Sequence, residues 1–137
     1  MRVVLDTNVL LSALISPGGS PDALYQAWRD GRFTLVSSEE QLDEFRRVSR
    51  YPKLRPYLQP AAAGTMLNEI RQLAVLATRL PKVDASPDPA DNLLLAAAQA
   101  GHAEYLVTGD KADLLDLERF KSIHIITVAK MIALLEK

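Results

Sequence analysis

The fold is decided near the start of the chain, by the stretch Val3-Val4-Leu5-Asp6-Thr7-Asn8-Val9. An unbroken aliphatic run leads directly into an acid and two small polar residues, and the chain then becomes apolar again. Such a run is typical of a strand that is buried on both faces, as in a parallel sheet. Ligand sites in open α/β sheets lie at the carboxyl ends of the strands. Asp6 is therefore the first candidate for a functional residue.

A second stretch of the chain ends in a similar way. The strand-like run Tyr105-Leu106-Val107 continues into Thr108-Gly109-Asp110-Lys111. If both strands are central, their carboxyl ends meet at one edge of the sheet. We therefore expect Asp6 and Asp110 to project from the same edge.

Two predicted helices can bring further acids to that edge. Asp91 lies in the first turn of a helix that is apolar nearly all round, and such a helix is expected to be buried. Glu44 lies on the flank of an amphipathic helix that begins at the capping-box pattern Ser38-Glu39-Glu40-Gln41. Asp6, Glu44, Asp91 and Asp110 are thus the candidate acids.

The remaining elements complete an alternating pattern. Strands are predicted over residues 3–5, 33–36, 80–83, 105–107 and 123–126, and helices over residues 9–14, 20–30, 38–49, 61–77, 88–101 and 128–135. Strands that alternate with helices imply a parallel sheet with helices on both faces, which is a three-layer α/β/α sandwich.

Composition narrows the choice of partners and metals. The length of 137 residues suits a single domain over residues 1–137, with a core of its own. The net charge of −1 gives no global signal for nucleic acid, so an RNA partner requires a local basic patch. Because the chain has no cysteine and only two histidines, any metal is expected to have oxygen ligands, which suits Mg²⁺ or Mn²⁺.

The sequence shows no membrane signal. No apolar stretch approaches the roughly 20 residues that span a bilayer, and Met1-Arg2-Val3 runs into a strand without a signal-peptide pattern. We expect a cytoplasmic protein with no membrane partner.

Acids gathered at one sheet edge suit metal-assisted hydrolysis of phosphodiester bonds. Carboxylates at close range repel one another, and a divalent cation offsets that repulsion. One or two Mg²⁺ ions held in this way polarise a phosphate, lower the pKa of a water and stabilise the leaving oxygen. This chemistry requires no side-chain nucleophile.

At this point the chain resembles a known family. The resemblance is carried by the stretches VVLDTNVLLSAL, SSEEQLDEFRRV, SPDPADNLLLAAAQAGHAEYLVTGDKADLL and IHIITVAKMIALL. They look like the PIN domain (PilT N-terminus), and among its members they are most similar to VapC-like toxins of type II toxin–antitoxin systems. The resemblance covers essentially the whole chain.

The resemblance implies a five-stranded parallel sheet in the order 3-2-1-4-5, which places Asp6 beside Asp110. It also implies a ribonuclease that depends on Mg²⁺ or Mn²⁺, is usually a homodimer and is inhibited by a cognate antitoxin protein. In it, Asp6, Glu44, Asp91 and Asp110 match the family's acidic quartet, which is both catalytic and metal-binding.

Several neighbouring residues are further candidates. Asn8 and Thr108 match the family's small polar neighbours of the site, although a cap or turn role is an equal alternative. Asp113 matches an acid that sometimes joins the site. Asp88 is an alternative third acid, but it fits a helix cap better, and the buried run from Leu93 favours Asp91.

A basic stretch follows Glu44 without an intervening acid. The candidate RNA-binding residues are Arg46, Arg47, Arg50, Lys53 and Lys111. A solvated helix face is an equally good interpretation of the stretch from Arg46 to Arg55, and for Lys111 a solvated loop role is equally open. Tyr51 fits base stacking, although packing is favoured.

The sequence thus predicts a metal-dependent endoribonuclease, the toxin of a toxin–antitoxin pair. One alternative is a non-catalytic PIN-like module that binds RNA or a protein. Another is a phosphotransfer or phosphatase domain of similar layers. The latter is disfavoured because Asn8 stands where such sites commonly have a second acid, and because no GxxxxGK loop is present.

Overall fold

Strand β1, the opening stretch of the sequence, lies at the centre of a mostly parallel sheet in the computed structural model, which describes residues 1–109 and 112–137. Within these residues the strands are β1 Arg2–Leu5, β2 Thr34–Ser37, β3 Val75–Leu76, β4 Tyr105–Thr108, β5 Arg119–Phe120 and β6 Ile123–Thr127. The helices are α1 Thr7–Ile15, α2 Ser20–Arg29, α3 Glu39–Ser49, α4 Pro60–Leu73, α5 Pro89–Ala100, α6 Ala112–Leu117 and α7 Val128–Leu135, with a 3₁₀ turn over Pro52–Leu54.

The sheet has the order β3-β2-β1-β4-β6-β5. The five parallel strands follow the expected order 3-2-1-4-5, with β6 in the fifth place. The prediction of five strands was wrong, because a sixth strand, β5, pairs antiparallel with β6 at one edge. This strand is only two residues long. The chain reverses between β5 and β6 at Lys121, whose φ of 54° is in the left-handed region. A run so short has no alternation from which a strand is predicted.

The predicted position of the third parallel strand was also wrong. Helix α4 ends at Leu73 instead of continuing to residue 77, and β3 follows at once, with Val75 opposite Val36 of β2. Residues 80–83, where the strand was expected, have no regular structure. Pro81 has no N–H to donate to a ladder, whereas β-branched Val75 suits one.

Alternate side chains of β1 enter two separate cores. Val3 and Leu5 pack on one face, with residues of α1 to α4 and α7. Val4 packs on the other face, with the apolar residues of α5 and Leu114 of α6. Helices therefore cover both faces, and the sheet is the middle of three layers.

Side-chain caps fix the starts of four helices, and α1 begins at Thr7 rather than at the predicted residue 9. Asp6, Ser38, Asp88 and Thr127 accept hydrogen bonds from the backbone N–H groups of Asn8, Gln41, Ala90 and Lys130, respectively. None of the described helices is long and apolar enough to cross a membrane.

Candidate functional site

Asp6 and Thr108 join the carboxyl ends of two adjacent central strands. The Asp6 N–H donates to the Val107 carbonyl oxygen at 2.8 Å, which continues the β1–β4 ladder beyond Leu5. The Thr108 hydroxyl donates to Asp6 Oδ2 at 2.8 Å, and Asp6 Oδ1 accepts from the Asn8 N–H at 3.2 Å. Asp6 is 2% exposed and Thr108 is fully buried. The expected neighbourhood of these strand ends is therefore present, with a buried carboxylate in a fixed orientation.

Glu44 is tied to the same strand end through Thr7. The Thr7 hydroxyl donates to Glu44 Oε1 at 2.5 Å, and Thr7 is the residue after Asp6. Glu44 is half-buried, as its place on the flank of the apolar stripe of α3 indicated. The α3 acid thus reaches the end of β1 through one hydroxyl.

Gln41 supports the contact between Thr7 and Glu44 by binding to the end of β1 and to Thr7. Its side-chain amide donates to the Leu5 carbonyl oxygen at 2.7 Å and, more distantly, to the Thr7 hydroxyl at 3.4 Å. Its amide oxygen accepts from the Ser37 hydroxyl at 2.6 Å. Gln41 is buried, so these bonds satisfy groups that would otherwise destabilise the fold. A sequence pattern that indicated only a helix cap thus also connects β1, β2 and α3.

Asp91 is 1% exposed in the first turn of α5. The Ser86 hydroxyl donates to Asp91 Oδ2 at 3.0 Å and accepts from the Asp88 N–H at 3.2 Å. Asn92 fixes the same loop, because its Oδ1 accepts from the N–H groups of Ala85 and Ser86. The loop before α5 therefore orients the Asp91 carboxylate.

Asp88 acts as the cap of α5, with Oδ1 accepting from the Ala90 N–H at 3.0 Å. Asp88 is half-buried, whereas Asp91 is almost wholly buried. The cap role of Asp88 is confirmed, and the choice between the two as third acid stays a prediction that favours Asp91.

The donor chemistry of these residues fits a hard divalent cation. The described candidates are all carboxylates, and oxygen ligands are those that Mg²⁺ and Mn²⁺ prefer. A carboxylate oxygen can accept from more than one direction, so a bond such as Thr108 to Asp6 is compatible with metal binding. Asp6 and Asp91 are both buried, and a buried carboxylate is costly without compensating charge or hydrogen bonds, which a bound cation would add to.

Two predicted site residues, Asp110 and Lys111, lie outside the described residues. Within residues 1–109 and 112–137, no three acidic or histidine side chains come close enough together to hold a metal ion. The four-acid site includes Asp110, so it stays a prediction.

The other predicted neighbours of the site are exposed. Asn8 is exposed in the first turn of α1, where its backbone N–H rather than its side chain contacts Asp6. Asp113 is exposed in the first turn of α6. Of the two small polar neighbours, Thr108 is the one whose side chain contacts an acid in the described part of the chain.

The predicted basic residues lie on the surface after Glu44. Arg46, Arg47 and Arg50 are exposed on or just after α3, and Lys53 is exposed on the 3₁₀ turn. No ion pair is formed by any of them among the residues that the structure describes. The guanidinium and ammonium groups are therefore accessible to an anionic partner.

Sequence reasoning missed Thr7 and Ser86 as partners of the acids. Both are small hydroxyl residues close in sequence to an acid, yet their partners are Glu44, 37 residues away, and Asp91. For Ser86 a signal existed, because its position five residues before Asp91 lies in the loop that enters α5. For Thr7 the partner follows only from the packing of α3 against α1, whose first residue is Thr7.

Comparison with known proteins identifies the family. The sequence model described as "PIN domain" matches residues 2–112, which is most of the chain and includes both central strand ends. The chain belongs to the PIN domain family. PIN domains are generally nuclease domains and are typically metal-dependent. The buried Asp6 at the end of β1 therefore lies in a fold that generally serves cleavage of nucleic acid.

A relative of this PIN domain occurs in Methanocaldococcus jannaschii. It is the uncharacterized protein MJ1680, which is 30% identical over 118 residues, covering 85% of this chain and 75% of the relative. The similarity extends over most of both chains.

Proposed function

We propose that this protein is an endoribonuclease that hydrolyses RNA phosphodiester bonds with the help of Mg²⁺ or Mn²⁺. The observation that supports this most is the buried carboxylate of Asp6, oriented by Thr108 across two central strand ends of a PIN domain. Glu44 and Asp91 support it as well, since each receives a hydrogen bond from a hydroxyl.

The proposed ligands of one or two ions are Asp6, Glu44, Asp91 and Asp110. When bound, the metal supplies positive charge to the scissile phosphate and lowers the pKa of a water. The chain's own part is to hold the carboxylates in place, through Thr108 for Asp6, Thr7 for Glu44 and Ser86 for Asp91. Partners of this kind orient metal ligands and tune their affinity.

The basic surface after Glu44 would position the RNA backbone. Arg46, Arg47, Arg50 and Lys53 are exposed, and we include Lys111 in this role on sequence grounds. Contacts between such cations and phosphates carry no base specificity and weaken with salt. The affinity of the proposed enzyme for RNA would therefore fall strongly as the ionic strength rises.

We further propose that the protein acts in the cytoplasm as the toxin of a toxin–antitoxin pair, as a homodimer that a cognate antitoxin inhibits. This part rests on the resemblance to VapC-like toxins. Growth arrest on induced expression, relieved by co-expression of a small neighbouring gene, is the expected result. Normal growth at high expression, with cleavage activity present in the extract, would argue for a nuclease of another role.

The decisive experiment measures RNA cleavage with Mg²⁺, with Mn²⁺ and with a chelator. Asp6→Asn, Asp91→Asn and Asp110→Asn should each lower the cleavage rate by a factor on the order of 100 or more, because each removes a charged ligand. Asp43→Asn is the matched control, since Asp43 is exposed on α3 next to Glu44. Cleavage in the chelator, or undiminished cleavage by the three variants, contradicts the mechanism.

The alternative is a PIN module that binds RNA or a protein without cleaving it. It predicts RNA binding by the wild type with no divalent-dependent cleavage under any of these conditions. The buried carboxylates disfavour it, because a binding module gains nothing from charges that are costly to bury.

A further inference from the structure

The end of α3 and the segment that follows it present two exposed tyrosines among cations that form no ion pair with any described residue. Tyr51 is 38% exposed and Tyr57 is 66% exposed, which places both among the large exposed hydrophobic residues of the described chain. The five cations of this region, all exposed, are Arg46, Arg47, Arg50, Lys53 and Arg55. We call the seven residues the Tyr–Arg surface.

The Tyr–Arg surface carries a concentration of positive charge. Residues 45–68 contain the five cations and no acid. The described ion pairs, Arg29 with Glu69 and Arg71 with Glu39, lie elsewhere. In a chain whose net charge is −1, this is a local concentration of positive potential. A polyanion complements this positive potential better than a protein surface of mixed charge does.

The backbone beneath the tyrosines is held in place. Leu58 is buried and Leu54 is half-buried, and both pack on the core that covers one face of the sheet. The 3₁₀ turn and the turn after it fix the backbone. The Leu54 N–H donates to the Tyr51 carbonyl oxygen at 2.9 Å, and the Tyr57 N–H donates to the Leu54 carbonyl oxygen at 2.9 Å. Pro52 and Pro56 restrict the chain further. The tyrosines are thus presented outward from an anchored segment.

Exposed aromatic rings between cations suit single-stranded nucleic acid. Bases of a single strand stack on such rings while the cations follow the backbone phosphates. A duplex hides the faces of its bases and leaves only the phosphates to bind. Exposed tyrosine rings can therefore distinguish a single strand from a duplex.

We propose that the Tyr–Arg surface binds an unpaired RNA segment, with bases stacked on Tyr51 and Tyr57. This deepens the proposed ribonuclease function and rests on it for the identity of the nucleic acid. It assigns the tyrosines to the bases and the cations to the phosphates of the RNA backbone.

The test is binding of a labelled, unstructured RNA of about 12 nucleotides, compared with a duplex of the same sequence, in a chelator that prevents cleavage. Tyr51→Ala and Tyr57→Ala should each weaken single-strand binding about fivefold or more and leave duplex binding within about twofold. Tyr51→Phe and Tyr57→Phe keep the stacking face and should bind as the wild type does.

Matched controls separate stacking from charge and from general damage. Arg50→Gln should weaken binding of both RNAs. For the single strand, the slope of the logarithm of the binding constant against the logarithm of the salt concentration should become shallower by about 0.7. Leu73→Ala removes an exposed apolar side chain outside the surface, and Lys137→Gln removes a distant cation. Neither should change binding.

Cleavage measured separately distinguishes the two proposals. Equal affinity of the wild type for both RNAs, or unchanged single-strand binding by both tyrosine variants, overturns the inference even if Mn²⁺-dependent cleavage is found. Single-strand binding that depends on the tyrosines, without cleavage in any metal, supports the inference and removes the nuclease function.

Discussion

Three hydroxyl groups orient the acids of the candidate site. Thr108, Thr7 and Ser86 donate to Asp6, Glu44 and Asp91, respectively. A hydroxyl donor limits rotation of the carboxyl group that accepts its hydrogen bond. The fold therefore fixes the orientation of these three carboxylates.

Thr108→Val tests this at a fully buried position. The substitution keeps the shape and removes the hydroxyl that donates to Asp6. We expect Mn²⁺ to bind more weakly, so that the Mn²⁺ concentration for half-maximal cleavage rises about 10- to 100-fold. Thr108→Ser retains the hydroxyl and should stay within a few-fold of the wild type. An unchanged metal requirement in Thr108→Val contradicts the orienting role.

The prediction of single residues succeeded where the chain itself carries the information. Asp6 follows a buried run and Asp88 precedes a proline, so the strand end and the cap could both be predicted. Gln41 could be assigned to a cap, but its bonds to Leu5 and Thr7 depend on how α3 packs against α1 at the end of β1. Contacts that join distant segments leave no local pattern in one sequence.

At the scale of elements, Gly101 shows how closely α5 approaches the sheet. It follows the end of α5, and a Cβ atom there would collide with the Val36 side chain of β2 and lie 3.1 Å from the Ala97 carbonyl oxygen. Helix and strand would have to separate to admit a methyl group.

Gly101→Ala should therefore destabilise the protein by about 1–3 kcal/mol in urea unfolding, as overpacking does. Gly64→Ala is the matched control, since Gly64 lies within α4 with no atom near its Cβ position. That change should stabilise by about 0.5–1 kcal/mol, because alanine favours helix. Similar effects of the two substitutions would show that the contact with Val36 is unimportant.

Helices α2 and α4 are joined by a buried tyrosine. The Tyr25 hydroxyl donates to Glu69 Oε1 at 2.8 Å, and Arg29 forms an ion pair with the same carboxylate. Burial raises the pKa of Tyr25 above its ordinary value near 10, and the Glu69 carboxylate raises it further, while Arg29 acts in the opposite direction. The tyrosine therefore stays protonated in the folded state to high pH.

A dependence of stability on pH follows from this shift. Above about pH 10 the unfolded chain releases the Tyr25 proton while the folded chain retains it, so the unfolding free energy falls as pH rises. Tyr25→Phe should lose about 1 kcal/mol at neutral pH and show a shallower decline in urea unfolding between about pH 8 and about pH 11. Tyr57→Phe, at an exposed position, should follow the wild type. A parallel decline in all three proteins contradicts the assignment.

Long elements with clear periodicity were predicted well, and short ones were not. The capping patterns at Ser38 and Asp88 placed α3 and α5 within one or two residues. Strands β3 and β5 have two residues each, and pairing with a neighbour decides their existence. Such strands result from the assembled sheet rather than from their own sequence.

For the whole molecule, metal binding should be coupled to stability. A cation that binds only the folded state stabilises it by about 2.7 kcal/mol at a concentration one hundred times its Kd. We expect Mn²⁺ to raise the melting temperature of the wild type by several degrees and to have little effect on Asp6→Asn or Asp91→Asn. Asp43→Asn should respond as the wild type does. An equal rise in every variant would indicate a metal site elsewhere.

The overall architecture was predicted in two ways. Alternation of strands and helices indicated the three layers, whereas the sheet order came from the resemblance to PIN domains, because no residue pattern states which strands are neighbours. The observed order of the five parallel strands agrees with it. The antiparallel β5 is a local addition that neither source indicated.

Each edge of the sheet is finished by a strand of two residues, β3 on one side and the antiparallel β5 on the other. A long, flat edge would offer unpaired N–H and C=O groups to a strand of another molecule, and very short edge strands are a common protection against that. Self-association by extension of the sheet, including amyloid-like stacking, is therefore disfavoured. Any stable pairing of two copies would instead use helices or loops, and the central strands would be shielded from intermolecular contact.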